Sequence, residues 1–256
     1  MKLLLLQSDI SWGNPEANRE RFGREILAAD KADLIVLPEM FTTGFCTSPK
    51  GTAEPAEGET LKWMLQTARD KGAALAGSVA VEDRGRYFNR FYFVQPDGRF
   101  RYYDKHHLFT YGGEHLEYTG GSERVVVEYK GWRILLLVCY DLRFPVWARN
   151  RGDYDLILYV ASWPSSRTGA WSALLKARAI ENLCYVAGVN RVGSDPNCQY
   201  DGASVLLDYI GTPLAEAAPG KEAVLSGEPD MEALTAFREK FPALRDADAF
   251  TLNNNG

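Results

Sequence analysis

Residues 134–144, with the sequence ILLLVCYDLRF, join an unbroken apolar run to a cysteine and then to a mixed polar segment. A continuous apolar run of this length is typical of a strand that is covered on both faces. The segment before it, residues 125–129 followed by the turn Lys130-Gly131, predicts a hairpin whose second strand, Trp132–Val138, ends at Cys139. We therefore expect a buried sheet that presents Cys139 at the carboxyl end of a strand.

Outside this stretch, apolar runs alternate with segments of helical periodicity. The predicted strands lie at residues 2–7, 33–37, 74–81, 87–94, 156–160, 185–189 and 204–209, and the predicted helices begin at Asn14-Pro15 or span 60–71 and 169–182. Buried strands between covering helices predict an α/β protein with layered packing. No repeat or linker interrupts residues 1–256, so we expect a single domain, with its last few residues, in the polar tail, mobile.

The composition and charge of the chain disfavour two classes of partner. It has 256 residues, 46% of them hydrophobic, and 34 acidic against 29 basic residues give a net charge of -5. This balance disfavours nucleic acid or an anionic membrane as the main partner. The apolar run at residues 3–6 is too short for a signal peptide, and no run approaches the roughly 18 apolar residues that span a bilayer.

The four cysteines are scattered, without a C-x-x-C pair or a spacing typical of zinc sites. Free thiols in a reducing cytoplasm are therefore expected. Cys139 ends an apolar strand and precedes polar residues, so it is a candidate reactive thiol, but taken alone a buried core cysteine is the favoured interpretation. Cys184 lies within an apolar run and is predicted to be core, whereas Cys46 and Cys198 fall in loops.

Two charged residues have surroundings that suit chemistry. Glu39 follows a predicted strand and lies among apolar residues, which would raise the pKa of a carboxylate towards that of a useful base. Lys105 lies among aromatic and charged residues. In isolation, a solvated charge at a strand end explains Glu39 equally well, and a surface lysine is the favoured interpretation of Lys105. A metal site is not expected, because adjacent His106 and His107 would point to opposite sides of an extended chain.

Three segments resemble the signature blocks of the nitrilase superfamily of carbon–nitrogen hydrolases. They are residues 37–41 (LPEMF), 103–109 (YDKHHLF) and 137–145 (LVCYDLRFP), in the order found in the family. The resemblance continues through residues 179–182 and 190–193, so it covers nearly the whole chain. Within the superfamily the chain looks closest to the bacterial omega-amidase branch, because of residues 144–147 (FPVW) and 162–164 (SWP).

This resemblance implies a fold, an assembly and a set of catalytic roles. The fold would be an αββα sandwich that forms a four-layer αββα-αββα homodimer, or a higher homo-oligomer. Cys139 would be the nucleophile, Glu39 the general base and Lys105 the cation beside the oxyanion, with Glu114 in support and the backbone N–H of Tyr140 as a further oxyanion donor. No metal or organic cofactor would be needed.

The resemblance also implies a substrate class. The omega-amidase branch suggests small 2-oxo acid amides such as 2-oxoglutaramate and 2-oxosuccinamate, hydrolysed to the acid and ammonia through a thioester. The far carboxylate of such a substrate needs a cationic or hydrogen-bonding partner. Arg143 and Arg167 are the candidates, and Phe109 and Trp163 are candidate walls of the pocket. Structural roles remain open for all four residues.

Several other functions stay open at this stage. The same scaffold could serve an aliphatic amidase, a carbamoylase or a nitrilase, and a non-catalytic member would bind a metabolite or a protein. A papain-like protease is disfavoured, because no C-G-[SA]-C-[WY] block surrounds Cys139.

Overall fold

The computed structural model describes residues 1–252, which form fifteen strands and five α-helices. The strands are β1 (Leu3–Gln7), β2 (Leu34–Val36), β3 (Glu54–Pro55), β4 (Ala74–Asp83), β5 (Arg86–Val94), β6 (Phe100–Asp104), β7 (Val126–Tyr129), β8 (Trp132–Val138), β9 (Leu156–Ala161), β10 (Tyr185–Asn190), β11 (Val192–Ser194), β12 (Gln199–Asp201), β13 (Val205–Leu207), β14 (Pro213–Glu216) and β15 (Ala223–Gly227). The helices are α1 (Pro15–Ala28), α2 (Glu59–Lys71), α3 (Pro145–Ala148), α4 (Thr168–Asn182) and α5 (Met231–Lys240). The end of the tail, residues 253–256, for which mobility was predicted, lies outside the described residues.

Two mixed sheets form the centre of the molecule. The first has the strand order β15-β1-β2-β4-β5-β6, with β3 also paired to β4, and the second has the order β14-β13-β10-β9-β8-β7. In each sheet the central strands are parallel, namely β1, β2 and β4 in the first and β8, β9 and β10 in the second. The strands β11 and β12 form a separate hairpin.

Alternation along β1 shows how the layers are built. Leu3 and Leu5 join the core between the two sheets, whereas Leu4 and Leu6 face the other way and pack with residues of α1 and α2. Successive side chains of a strand point to opposite faces, so a run of four buried leucines requires a partner layer on each side. The predicted αββα sandwich is therefore confirmed.

Most of the predicted elements are present. The hairpin β7–β8 forms as predicted, and the Asn14 side chain caps α1 by accepting a hydrogen bond from Ala17 N at 3.2 Å. The strand predicted at residues 204–209 is shorter, because only Val205–Leu207 pairs with its neighbour β10. The sequence did not predict β3, β6, the hairpin strands β11 and β12, the edge strands β14 and β15, or helix α5, whose residues are largely exposed or half-buried and lack a strong apolar period.

The parallel strands determine where the chemistry lies. Glu39 follows β2, Cys139 follows β8 directly, and Ser162 follows β9. Groups that follow parallel strands gather at the carboxyl edge of the sheet, so the sandwich brings these three residues to one end. Within residues 1–252 we find no helix that is long and apolar enough to span a membrane.

Candidate active site

Cys139 begins a short 3-10 helix, Cys139–Arg143, at the end of β8. Its backbone φ is +45°, in the left-handed region that residues other than glycine rarely adopt. Strain of this kind persists only where the surroundings impose the conformation, and it clusters at functional sites. The strained turn at Cys139 therefore marks this residue as a candidate functional residue.

Glu39 is fully buried and is held by three donors. Its Oε1 accepts hydrogen bonds from Lys105 Nζ at 3.0 Å and Asn89 Nδ2 at 2.8 Å, and its Oε2 accepts one from Ser162 N at 2.8 Å. The chain then turns sharply at Met40, where φ is +44° and the backbone N–H bonds Ser78 Oγ at 3.0 Å. This turn, together with Ser162 N–H, fixes the carboxylate at the sheet edge.

Lys105 and Glu114 complete a buried cluster of charges. Lys105 Nζ donates to Glu114 Oε1 at 3.1 Å and Oε2 at 2.9 Å, in addition to its bond with Glu39. Glu114 also accepts from Phe109 N at 2.6 Å and Asn89 Nδ2 at 3.3 Å. All three charged side chains are completely shielded from solvent, so the alternatives of a solvated Glu39 and a surface Lys105 are wrong.

The electrostatics of the cluster favour a neutral thiol beside a charged lysine. Burial, together with the negative charge and hydrogen bonding of Glu39, raises the pKa of Cys139 well above its ordinary value, and the charge on Lys105 only partly opposes this. Burial alone would lower the pKa of Lys105, but the carboxylates of Glu114 and Glu39 outweigh it and raise that pKa. Burial and the charge on Glu39 raise the pKa of Glu114, against the opposing effect of Lys105. Cys139 thus needs a base in order to attack.

A cavity of about 590 Å³ opens onto this cluster. Glu39, Lys105 and Cys139 lie at its base, and seven aromatic side chains form part of its walls. Those walls include Trp12, Phe45, Phe109, Tyr111, Tyr140, Trp163 and Tyr200. The volume and the mostly apolar lining with a few polar groups are typical of a small-molecule site.

Each of the four predicted substrate-binding residues lines this cavity. The Arg143 guanidinium lies 4.9 Å from the centre of the Trp163 ring, and the Arg167 guanidinium lies 5.3 Å from that of Phe109. Within residues 1–252, neither guanidinium has an ion pair with a carboxylate. Two cations are thus held on aromatic faces inside the cavity.

The other three cysteines differ in their burial. Cys184 is fully buried in the core, as predicted, whereas Cys46 and Cys198 are half-buried and line the cavity.

Tyr140, the candidate oxyanion donor, is the second residue of the 3-10 helix, where a backbone N–H has no partner within the helix. Its ring packs edge-on against Phe109 at 5.1 Å between centroids.

One expectation about the histidines is wrong. The rings of His106 and His107 do not point to opposite sides, because this segment bends instead of continuing β6, and their centroids lie only 4.5 Å apart. The His106 ring stacks on Trp147 and the His107 ring stacks on Phe144, each at 3.8 Å. In the described part of the chain, no three histidine, cysteine or acidic side chains are arranged to hold a metal ion.

Two residues that donate hydrogen bonds to the buried carboxylates were not predicted to do so from the sequence. Asn89 donates to both Glu39 and Glu114, yet it lies inside β5 with no local sequence signal. Ser162 was noted only as part of the SWP segment, although its backbone N–H holds Glu39. Asn89 does not stand out in the sequence, because β5 also contains Arg86 and Arg90.

Comparison of the sequence with protein-family models identifies the family of this chain. The family model described as carbon-nitrogen hydrolase matches residues 6–239, and the chain belongs to that family. The resemblance to the nitrilase superfamily is thereby confirmed.

Individual relatives and a solved structure are similar to this chain over nearly its whole length. The chain is 51% identical over 253 residues to omega-amidase YafV of Yersinia enterocolitica, covering 98% of both chains. It is 36% identical over 247 residues to a 2-oxoglutaramate amidase of Bacillus subtilis (strain 168), covering 94% of this chain and 95% of that protein. Among solved structures, XC1258 of Xanthomonas campestris, a CN-hydrolase superfamily protein with an arsenic adduct in its active site, superimposes with a TM-score of 0.96 at 46% identity, over 99% of each chain.

Proposed function

We propose that this chain is an omega-amidase that hydrolyses the terminal amide of small 2-oxo acid amides, such as 2-oxoglutaramate and 2-oxosuccinamate. One observation carries the proposal. Glu39, Lys105 and Cys139 meet at the base of a cavity that also holds two arginines without a carboxylate partner in the described chain. The relatives named omega-amidase and 2-oxoglutaramate amidase support this choice of substrate.

The first half of the reaction forms a thioester. Cys139 Sγ attacks the amide carbonyl carbon while Glu39 accepts the thiol proton, which the raised pKa of Cys139 makes necessary. Lys105 and the backbone N–H of Tyr140 hold the oxygen that becomes negative, and such donors contribute about 10²–10³ in rate each. Glu39 then returns its proton to the nitrogen as the carbon–nitrogen bond breaks, and ammonia leaves.

The second half hydrolyses the thioester. Water attacks the thioester carbon while Glu39 accepts one of its protons. The carbon–sulfur bond breaks, the acid leaves, and the proton returns to Cys139. Glu114 takes no proton in this scheme. Its hydrogen bonds of 3.1 and 2.9 Å keep Lys105 Nζ in place.

Substrate recognition is assigned to the arginines and the aromatic wall. The far carboxylate of a 2-oxo acid amide pairs with Arg143 or Arg167. The ring of Trp163 contacts the Arg143 guanidinium, and the ring of Phe109 contacts that of Arg167. A charge-assisted hydrogen bond is worth about 1.5–3 kcal/mol, which is roughly 10–100-fold in affinity. Alanine at the arginine that binds the carboxylate should therefore raise KM by about that factor.

The test is ammonia release from a panel of small amides, nitriles and carbamoyl compounds, with carbon dioxide measured in parallel. We expect 2-oxoglutaramate and 2-oxosuccinamate to be the best substrates and Cys139→Ala to be inactive but folded. Cys184→Ala is the matched control. Because Cys184 is buried in the core, the main effect of this variant should be a lower free energy of unfolding, with a smaller effect on turnover.

The outcomes separate the alternatives. Use of nitriles, or release of carbon dioxide, would indicate a nitrilase or a carbamoylase, and silence towards every substrate would indicate a binding protein. Substantial activity in Cys139→Ala would contradict the mechanism. Iodoacetamide labelling confined to Cys46 or Cys198 would also contradict the mechanism. Both thiols line the same cavity as Cys139, so they are the alternative sites of labelling.

A cytoplasmic location and a homodimer complete the proposal. The scattered thiols support the first, and cell fractionation tests it.

A further inference from the structure

A second buried acid, Asp141, lies two residues after Cys139 and takes no part in the mechanism above. It is fully shielded from solvent and accepts four hydrogen bonds. Its Oδ2 accepts from Val138 N at 3.0 Å and Tyr103 Oη at 2.8 Å, and its Oδ1 accepts from His107 N at 3.0 Å and His107 Nδ1 at 2.8 Å. This uses the full acceptor capacity of a carboxylate.

The donors come from two segments of the site. Val138 directly precedes the nucleophile, whereas Tyr103 and His107 flank Lys105 by two residues on either side. One carboxylate therefore ties the turn that carries the nucleophile to the segment that carries the cation. The Cys139 turn depends on such support, because its φ of +45° is unfavourable for a residue with a side chain.

Neighbouring aromatic side chains hold two of these donors, Tyr103 and His107, in place. The Tyr103 hydroxyl accepts hydrogen bonds from His106 N at 3.0 Å and Trp147 Nε1 at 3.1 Å. The His107 ring is nearly parallel to that of Phe144, with 3.8 Å between centroids. His107 is thus held with its Nδ1 towards Asp141, which requires the tautomer that carries a proton on Nδ1.

We propose that Asp141 is a positioning residue for the hydrolysis, and that it sets the geometry between Cys139 and Lys105 with His107 as its outer partner. The inference rests on the proposed function, but it concerns a residue that touches neither substrate nor the reacting atoms. A misplacement of about 1 Å in an active site can lower the rate by about 10². The expected signature is a lower kcat with little change in KM.

The first variant is Asp141→Asn, which keeps the size of the side chain. One terminal atom of asparagine is an NH₂ group, so in either orientation it faces a backbone N–H, that of Val138 or that of His107. We expect kcat to fall about 10–100-fold and KM to stay within about threefold. Alkylation of Cys139 by iodoacetamide, located by peptide mapping, should slow as well.

The matched control is Asp155→Asn. Asp155 is also buried and hydrogen-bonded, but its partners are Arg133 and Arg238 at the opposite end of the sheet. It should lose stability without losing kcat. At His107, asparagine can place an amide N–H near the position of Nδ1, so His107→Asn should keep kcat within about threefold while His107→Ala lowers it about tenfold.

Two results would overturn the inference. One is a folded Asp141→Asn protein with kcat within twofold of the wild type, and the other is an equal loss of kcat in Asp155→Asn. If the wild type hydrolyses none of the amides, the proposed function fails, and the alkylation rates still test the positioning role. Unchanged alkylation in Asp141→Asn would then refute it.

Discussion

The buried charges beside Cys139 are held by hydrogen bonds to one another and to Asn89. Lys105 is shared between Glu39 and Glu114, and Asn89 donates to both carboxylates. Removing one partner of a buried ion pair typically costs about 3–5 kcal/mol, because the other charge is left unpaired. Variants at this site therefore need a folding control, such as thermal unfolding, beside each rate.

The first prediction separates the roles of Glu39 and Lys105. Glu39→Gln keeps the shape of the side chain but cannot accept the thiol proton, so both amide turnover and alkylation of Cys139 should fall drastically. Lys105→Met should lose at least about 10² in turnover while retaining slow alkylation, because alkylation develops no tetrahedral oxyanion. Ammonia release and iodoacetamide labelling measure the two effects. A Lys105→Met protein whose Cys139 is inert to iodoacetamide would refute this division of labour.

The second prediction concerns pH in Glu39→Gln. Burial is the largest of the effects that raise the pKa of Cys139, and it persists in this variant. A raised pKa means that the thiolate forms only above the ordinary thiol value of 9.0. The rate of Cys139 alkylation in Glu39→Gln should therefore stay low at neutral pH and climb through the alkaline range. A rate in the variant that is already maximal at pH 7 would show that another group ionises the thiol.

At the scale of elements, the Arg238 side chain anchors helix α5 to the second sheet, in addition to the buried Leu234 and the ring contact of Phe237 with Tyr209. Arg238 donates to Asp155 Oδ1 at 2.6 Å, to Leu183 O at 2.8 Å and to Tyr154 O at 2.9 Å. These contacts lie at the amino end of β9, whereas Cys139 lies beyond the carboxyl end of β8. The helix therefore contributes to stability and not to the site.

The third prediction is that Arg238→Ala lowers the free energy of unfolding by about 1–3 kcal/mol with kcat unchanged, because a charged hydrogen-bonding group is lost. Urea denaturation measures the change, and Lys240→Ala on the same helix is the control. A loss of kcat without a loss of stability would contradict this account of α5.

The penalty of Arg238→Ala should also depend on pH. Burial raises the pKa of Asp155, but Arg133 and Arg238 outweigh it and lower that pKa below its ordinary value of 3.8. A lowered pKa stabilises the fold above the ordinary value, and the stabilisation is lost as pH falls through the lowered one. The difference in stability between wild type and variant should thus be constant near neutral pH and shrink below about pH 4. A difference that grows in acid would have the wrong sign.

For the whole molecule, assembly remains a prediction, and the surface suggests where it occurs. Val146 on α3, Ile180 on α4 and Ile210 are apolar and exposed, at 54%, 46% and 51%. Arg149 at the end of α3 donates to Glu181 O, and Gly211 lies against the side chain of Ile180, so these segments adjoin one another. Exposed apolar side chains on adjoining segments are candidates for an interface.

The fourth prediction is a homodimer at micromolar concentration that uses this surface. Val146→Asp together with Ile180→Asp should shift sedimentation from dimer to monomer, because a buried unpaired charge opposes association. Leu27→Asp is the control, since Leu27 is 57% exposed on α1, on the helix layer of the other sheet. A wild-type protein that sediments strictly as a monomer would refute the prediction.

The sequence by itself determined the layered fold and the three central residues of the site. Continuous apolar strands such as β1 and β8 require cover on both faces, and this is a local property of the chain. The blocks around Glu39, Lys105 and Cys139 could be recognised because their order along the chain is itself the signal. Elements whose stability comes from distant partners, such as β15 against β1 and α5 against Asp155, left no comparable pattern.

Only the tertiary structure decided how the charges of the site are paired. Glu39 and Lys105 are 66 residues apart, and Ser162 is 123 residues from Glu39, so no local pattern encodes their contact. Asn89 gives no local sign that it bridges two carboxylates, and the bend after β6 brings His107 to Asp141 although an extended chain was expected. Hydrogen bonds and pKa values depend on separations of a few ångströms in space, and that distance exists only once the two sheets have packed.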